Sequence, residues 1–303
     1  MLAIIIPYYK LTFFEETLKS LSNQTDKRFK VYIGDDASIE NPSKLLNEFQ
    51  GKFDFVYHRF EINLGSVSLT KQWERCIDLC KKEEWLMILG DDDFLGETVI
   101  ESWYKNFDAF YTKAEVIRFA TKMIVQENNE ISDKFEHPIW EKATDAYLRK
   151  FNHLTRSSLS EYVFSKKTFN KYHFDNYPLA WNSDDQAWLD FSDNKSIFTI
   201  NECVVYVRLS SSNISGKTDN FLLKNNSQIL FYKKLIKEKL HYFENTQRLL
   251  FLNRYENDIL KTRKLTSAEW IFLLVYHLKW FDYNDFKKIL KRFLNTVLKR
   301  NEI

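Results

Sequence analysis

The sequence predicts an α/β protein, a Rossmann-like mixed sheet with helices on both faces, followed by a helical C-terminal region. Three observations carry that expectation. β-Branched apolar runs alternate with stretches of helical periodicity from Ala3 to Phe119. Strand signals then return at Tyr162–Ser165 and Val204–Arg208, with a helical pattern near Asp184–Phe191 between them. From Phe221 onward the apolar spacing is helical. The 303 residues suffice for one large domain and a smaller appendage, divided here as 1–215 and 216–303.

Taken in order, Ala3–Ile6 is a buried strand that Pro7 cuts short. Phe13, Phe14, Thr17, Leu18 and Leu21 follow at helical spacing. Lys30–Gly34 is a second strand, with Val31 and Ile33 as its apolar positions. Pro42–Phe49 reads as a helix, capped by Asn41 and with Pro42 at its first position. Asp54–His58, Trp85–Leu89 and Glu115–Phe119 are further strands, and Val67–Cys80 and Glu97–Phe110 are helices among them. Strands separated by helices pair in parallel through right-handed crossovers. Beyond Arg118 the pattern changes. Lys122–Gln126 and the polar turn Glu127–Glu130 read as an antiparallel excursion, so the sheet begins parallel and ends mixed. In the C-terminal region, Thr266-Ser267-Ala268-Glu269 is a capping box. Ile289, Leu290, Phe293, Leu294, Val297 and Leu298 then form a helical stripe among Lys287, Lys288, Lys291, Arg292, Lys299 and Arg300.

Aromatic residues are 17% of the chain while Gly and Pro are scarce, which fits a dense core with few flexible linkers. Cys76, Cys80 and Cys203 are too few for a disulfide framework and read as buried thiols of a reducing compartment. No basic segment precedes the apolar N-terminus, and the longest later apolar run, Trp270–Tyr276, is too short for a bilayer. The expectation is a cytoplasmic protein, neither exported nor integral to a membrane. From Gly216 onward Lys and Arg outnumber Asp and Glu by 18 to 9, whereas the remainder carries a net −7. An acidic front and a basic tail predict different partners for the two regions. The acidic front, with no recognition motif, counts against nucleic acid.

Three acidic segments follow or close apolar strands, where open α/β sheets bind their ligands. The first is Val31-Tyr32-Ile33-Gly34-Asp35-Asp36-Ala37-Ser38, whose carboxylates suit either a turn or the N–H of a bound base. The second, Gly90-Asp91-Asp92-Asp93-Phe94-Leu95, packs three like charges between apolar neighbours and calls for a cation, Mg²⁺ or Mn²⁺. The third, Asn182-Ser183-Asp184-Asp185-Gln186, opens a helix, where a carboxylate either caps the helix or takes a proton from a hydroxyl.

In their order and spacing these segments resemble the family 2 glycosyltransferases of the GT-A fold. Ile5-Ile6-Pro7-Tyr8-Tyr9-Lys10 is similar to that family's first strand and turn, with Lys10 where Asn is usual. Gly34-Asp35-Asp36-Ala37-Ser38 resembles its Asp-Asp-Gly-Ser segment, Asn63-Leu64-Gly65 its Asn-x-Gly, Gly90–Asp93 its DxD region and Asp184-Asp185 its Glu-Asp pair. The resemblance covers roughly residues 1–215.

It implies an inverting transfer of one sugar from a nucleotide-sugar donor, of UDP or dTDP type, to a glycan or lipid-linked glycan acceptor, as in surface polysaccharide synthesis. Pro7 and Tyr9 would line the donor site, with Tyr9 against the base and Asp36 accepting its N–H. Asp92 would hold the ribose and Asp93 the Mn²⁺ or Mg²⁺, with Asp91 nearby. Lys71 stands where the family often has an Arg near the diphosphate, and Arg208 would reach a phosphate from the root of a closing loop, Ser210–Asn220. Asp185 would be the general base and Asp184 the second choice. The absence of Gln-x-x-Arg-Trp after Asp185 argues against a processive polymer synthase. A sugar-nucleotidyltransferase would want a glycine-rich phosphate loop after the first strand, which Pro7-Tyr8-Tyr9-Lys10 lacks. A non-catalytic glycan- or partner-binding relative of the same fold is the alternative. The basic C-terminal helix either touches the inner face of the cell membrane at its periphery or packs on its neighbours.

Overall fold

A run such as Leu2-Ala3-Ile4-Ile5-Ile6 is stable as a strand where helices cover both faces of its sheet. The computed structural model, which describes residues 1–298 apart from Asn129, Ser212, Thr218 and Asp282, places it there. The chain divides into two compact units, Met1–Asn220 and the remainder from Phe221.

In the first unit β1 (Leu2–Tyr8) leads through α1 (Phe14–Ser22) to β2 (Phe29–Asp35), and α2 (Ser43–Glu48) leads to β3 (Phe55–Arg59). Helix α2 starts one residue later than its sequence suggests, with Pro42 as the cap, although the Asn41 side chain still accepts the Ser43 N–H at 2.9 Å. Helix α3 (Leu69–Ile77) is capped by Ser68 and precedes β4 (Trp85–Ile88), the short β5 (Phe94–Leu95) and α4 (Val99–Phe110). There follow β6 (Val116–Val125), β7 (Glu130–Ile131), β8 (Trp140–Lys142) and α5 (Ala143–Phe151). Then come β9 (Tyr162–Ser165), α6 (Lys166–Tyr172), α7 (Ser183–Phe191) and β10 (Ser196–Leu209).

The strands form one sheet in the order β3-β2-β1-β4-β9-β6-β10-β5, with β7 beside β6 and β8 beside β10. β3, β2, β1 and β4 are parallel, and β9 is antiparallel to both of its neighbours. The sheet is therefore mixed, with its parallel half first. Lys122–Val125 continues β6, and its Ile124 and Val125 pair antiparallel with β7, which is the excursion expected from sequence. β10 runs well beyond Val204–Arg208, and its register against β6 shifts between Ile200 and Val204. That bulge breaks the alternation that marks a strand in sequence.

Leu2, Ile4 and Ile6 face one side of the sheet and join Leu18, Leu21, Val31, Ile33, Met87 and Trp103 in a single core. On the other side α3 lies close to β2. A Cβ at Gly34 would meet Cys76 Sγ at 2.3 Å, so the close approach requires glycine there. All three cysteines are buried thiols, as their number and spacing suggest.

The second unit consists of α8 (Phe221–Glu238), α9 (Asn245–Leu260), α10 (Ser267–Trp280) and α11 (Tyr283–Leu298). Thr266 and Glu269 form the expected capping box on α10. Phe231, Leu235, Phe251, Leu252, Tyr255, Ile259 and Leu273 are its buried centre. Part of the apolar stripe of α11 packs within this unit: Ile289 is buried, Phe293 meets Trp270 with ring centroids 5.8 Å apart, and Arg292 pairs with Glu256, whereas Leu294 is exposed. Lys287, Lys288 and Lys291 are exposed. Lys299, Arg300 and the side chains of Val297 and Leu298 lie outside the described residues. Among the described residues no helix is long and apolar enough to cross a membrane.

Candidate active site

The strand order 3-2-1-4 means that the chain leaves β1 on one side for β2 and later returns on its other side as β4. A crevice opens at the carboxyl ends of strands where the order reverses in this way. Tyr9 and Lys10 follow β1 there, Asp35 and Asp36 close β2, and Gly90 to Asp93 follow β4.

Asp91 staples two of these strand ends together. Its Oδ2 accepts the backbone N–H groups of Tyr9 at 2.7 Å and Lys10 at 2.8 Å. Asp93 is buried, with Oδ1 accepting the Arg208 backbone N–H at 2.8 Å and Oδ2 accepting the Ser160 hydroxyl at 2.5 Å. The antiparallel pairing of β5 with β10 sets Phe94 opposite Tyr206, which carries Arg208 up to Asp93. Asp92 is half-buried, and its Oδ2 faces the Asn213 side-chain amide at 3.5 Å. Burial, then the charge of Asp92, pushes the carboxyls of Asp91 and Asp93 up to about 7. Burial also raises Asp92. A cation relieves such a cluster.

A Cβ at Gly90 would stand 2.8 Å from Asp92 Oδ1 and 3.1 Å from Asp93 Oδ2, so both carboxylates lean over this residue. Among the described residues no three His, Cys, Asp or Glu side chains gather into a ready-made metal cage. Mg²⁺ is usually bound by one or two carboxylates, with waters and substrate phosphates completing the shell. The converging Asp92 and Asp93 fit that kind of ion.

Around the triplet, the Arg208 guanidinium donates to the Asp92 carbonyl at 3.1 Å and to Gln126 Oε1 at 2.5 Å. It pairs with Glu16 and lies over the Phe13 ring at 4.2 Å. Arg208 thus stands beside the acidic triplet, with its side chain engaged by protein partners. Tyr9 is 40% exposed, which leaves its ring at the surface of the crevice, and Pro7 lies opposite Gly34 in the sheet register. Asp36 is buried and fully engaged. It accepts the N–H groups of Leu64 at 2.7 Å and Gly65 at 2.9 Å and pairs with Arg75. Asp35 holds the Ser38 N–H, the Tyr57 hydroxyl and Arg59. Lys71 sits on the exposed face of α3, paired with Glu74 at 2.7 Å. Arg75, one turn further along the same helix, is the cation that pairs with Asp36, as Arg59 does with Asp35, and sequence reasoning missed both.

Asp184 and Asp185 open α7. Leu179, Ala180 and Asn182, just before them, take φ values of 58°, 51° and 65°. Three non-glycine residues in the left-handed region are held there by their surroundings at a cost of about 1–2 kcal/mol each. Asp185 is buried between Lys150 Nζ at 2.5 Å and Asn182 Nδ2 at 2.8 Å. Asp184 is half-buried, and burial together with Asp185 pushes its carboxyl up to about 6. The loop into β9 links this pair to the metal candidates. Ser160 binds Asp93, and Tyr162, two residues on, stacks on Trp188 of α7 with centroids 4.1 Å apart. Ser160 and Lys150 carry no sequence signal of their own; only the folded chain brings them to Asp93 and Asp185.

Behind Asp185 lies a layer of buried charge. Arg118 donates to Glu141 at 2.7 Å, Arg149 reaches the same carboxylate at 2.6 Å, and Arg156 pairs with Glu161 at 2.9 Å. Repulsion from the arginines adds to burial in driving His137 down to about 2, so this imidazole is neutral.

Solved structures of the same architecture exist. S. aureus TarS residues 1–349 in complex with UDP-GlcNAc is 13% identical, with 91% of this chain covering 79% of that one at a TM-score of 0.63. A second crystal structure of S. aureus TarS residues 1–349 is 15% identical, over 95% of this chain and 80% of that one, with a TM-score of 0.62. The complex with UDP is 14% identical, over 95% and 80%, with a TM-score of 0.59. These likenesses establish the GT-A fold. No curated protein matches the sequence. The model of glycosyl transferase family 2 matches residues 3–197, a span that includes all three acidic segments. The chain therefore belongs to glycosyl transferase family 2, and its activity is glycosyl transfer.

Proposed function

We propose that this protein transfers a single sugar, with inversion, from a UDP- or dTDP-sugar to a hydroxyl of a glycan or lipid-linked glycan during assembly of a surface polysaccharide. The observation that carries the proposal is the pair of carboxylates, half-buried Asp92 and buried Asp93, converging over Gly90 just beyond the carboxyl end of β4. The TarS fragment binds UDP-GlcNAc and UDP, which favours the uridine donor among the two.

On this reading Tyr9 covers the base and Asp36 shapes the base site through the Leu64–Gly65 turn. Asp93, with Asp92 converging beside it over Gly90, would hold Mn²⁺ or Mg²⁺, and the ion would stabilise charge on the departing diphosphate. Arg208, with its backbone on Asp93 and its guanidinium on the Asp92 carbonyl, orients both carboxylates. Asp185 takes the proton of the attacking hydroxyl, because it is the fixed member of its pair. Alignment of donor and acceptor supplies much of the acceleration.

The test is nucleotide release from a panel of UDP- and dTDP-sugars, with and without Mn²⁺ and with glycan acceptors. Metal-dependent release, faster with acceptor, is expected. Asp93→Ala should stay folded and inactive, and Asp185→Asn should bind donor and lose turnover. Full activity in excess chelator overturns the metal role. A larger loss in Asp184→Asn than in Asp185→Asn moves the base by one residue.

A further inference from the structure

We propose that Lys150 is a positioning residue for the transfer: from α5 it holds the Asp185 carboxylate ready to receive the acceptor proton. The inference rests on the transferase reading and adds to it a residue outside the three acidic segments. Lys150 lies on the last turn of α5, a helix outside the elements expected from sequence. Its ammonium is 2.5 Å from Asp185 Oδ1, while Asn182 Nδ2 is 2.8 Å from Oδ2. The carboxylate is thus gripped at both oxygens from two different elements, and each oxygen keeps a lone pair for a hydroxyl proton.

The surroundings explain why a cation is needed there. Asp185 is buried and adjacent to a second carboxylate, Asp184. Burial and a like charge both favour the protonated acid, which cannot act as a base. Lys150 supplies the opposing charge, and its ammonium is in turn held above the usual lysine range by Asp185 and Asp184 against the effect of burial. The other groups beside Asp185 are accounted for. A cavity of about 20 Å³ next to it is lined by Lys150 and by Arg118 of β6, Tyr162 of β9, Trp188 of α7, and Arg156 and Ser157 of the loop before β9. Arg118 bonds Glu141 and Thr199, and Arg156 bonds Glu161 and Thr121. The two arginines thus have other partners, and Lys150 is the cation in direct contact with Asp185.

The experiment compares wild type with Lys150→Gln and Lys150→Arg. The readouts are kcat against pH, donor affinity by calorimetry with UDP-GlcNAc, and the Asp185 carboxyl-carbon titration by NMR, assigned with Asp185→Asn. For Lys150→Gln we expect at least a tenfold fall in kcat at neutral pH and unchanged donor affinity. The acid limb of kcat and the Asp185 titration should both move up by about one pH unit or more, the size of effect one adjacent opposite charge has on a carboxylate. Lys150→Arg should restore most of both. A Lys150→Gln enzyme with a wild-type acid limb and an unmoved Asp185 titration overturns the inference while leaving the transferase reading intact. A wild-type protein that releases nucleotide from no sugar donor overturns the transferase reading itself, and this role of Lys150 with it.

Discussion

Replacing Gly90 by alanine should separate stability from activity. The backbone at Gly90 lies outside the left-handed region, so alanine is conformationally acceptable there. Alanine at such a position ordinarily stabilises by about 0.4–1 kcal/mol through the unfolded chain. The added Cβ, however, would stand 2.8 Å from Asp92 Oδ1 and 3.1 Å from Asp93 Oδ2. Asp92 Oδ1 must retreat by about half an ångström to reach ordinary van der Waals contact. Asp93 cannot follow freely, being held by Ser160 and the Arg208 backbone. A displacement of that order in a group that aligns reactants costs roughly ten- to a hundredfold in rate. The assay is nucleotide release at saturating donor and Mn²⁺, beside a thermal melt of the same sample. Expected are a melting temperature at or near that of wild type, a kcat lower by one to two orders of magnitude, and weaker Mn²⁺ dependence. Wild-type kcat in the folded variant would refute the argument that Asp92 and Asp93 act together over Gly90.

Asp91 and Asp93 titrate near pH 7 when folded, so between about pH 4 and 7 the folded chain holds protons that the unfolded chain has shed. Their contribution to metal-free stability therefore falls as pH rises through that window. Asp93→Asn should flatten the fall, and Mn²⁺ should raise the melting temperature more at pH 8 than at pH 5.5; equal shifts at both would count against the site. Asn213 donates to the Arg208 carbonyl at 2.8 Å and faces Asp92, so donor and metal should slow amide exchange in the described part of Ser210–Asn220, and unchanged exchange would dismiss its closure. Ile289 and Phe293 of the α11 stripe pack within their own unit and Leu294 is exposed, so membrane contact through Lys287, Lys288 and Lys291 should be mainly electrostatic, at about 1 kcal/mol per basic residue. The protein should sediment with anionic vesicles at low salt and be released by high salt, and replacing all three lysines by glutamate should abolish binding; no sedimentation at low salt would end the idea.

The parallel half of the sheet is legible because its strands are short, apolar and separated by helices. β1, β2 and β4 begin and end within a residue or two of where periodicity puts them, as does the antiparallel β9. The missed elements fail for physical reasons. β10 has Asn201 and Glu202 at its bulge, so only the half after the bulge reads as a strand. β8 is three residues long, too short for a period. Helix α5 mixes Ala, Thr, Asp, Tyr and Arg, and its place beside Asp185 is set by tertiary packing. In the candidate site, the acidic segments announce themselves as charges at strand ends. Their partners do not: Ser160, Arg75 and Lys150 are ordinary polar residues until folding brings them to Asp93, Asp36 and Asp185.

The left-handed backbone at Leu179, Ala180 and Asn182 has a consequence for how variants of this chain would fare under selection. Glycine at any of these positions relieves strain in the folded chain but loosens the lead into Asp184 and Asp185. Directed evolution for heat resistance alone would find such relief within reach, since removing strain adds stability wherever catalysis is not assayed. Evolution for turnover would meet the opposite pressure and keep the side chains, because freedom in the segment before α7 spreads the orientations of its first carboxylates. The same few positions would thus diverge between two libraries grown from one parent. Their drift apart would show which part of this molecule is kept for chemistry at the expense of robustness.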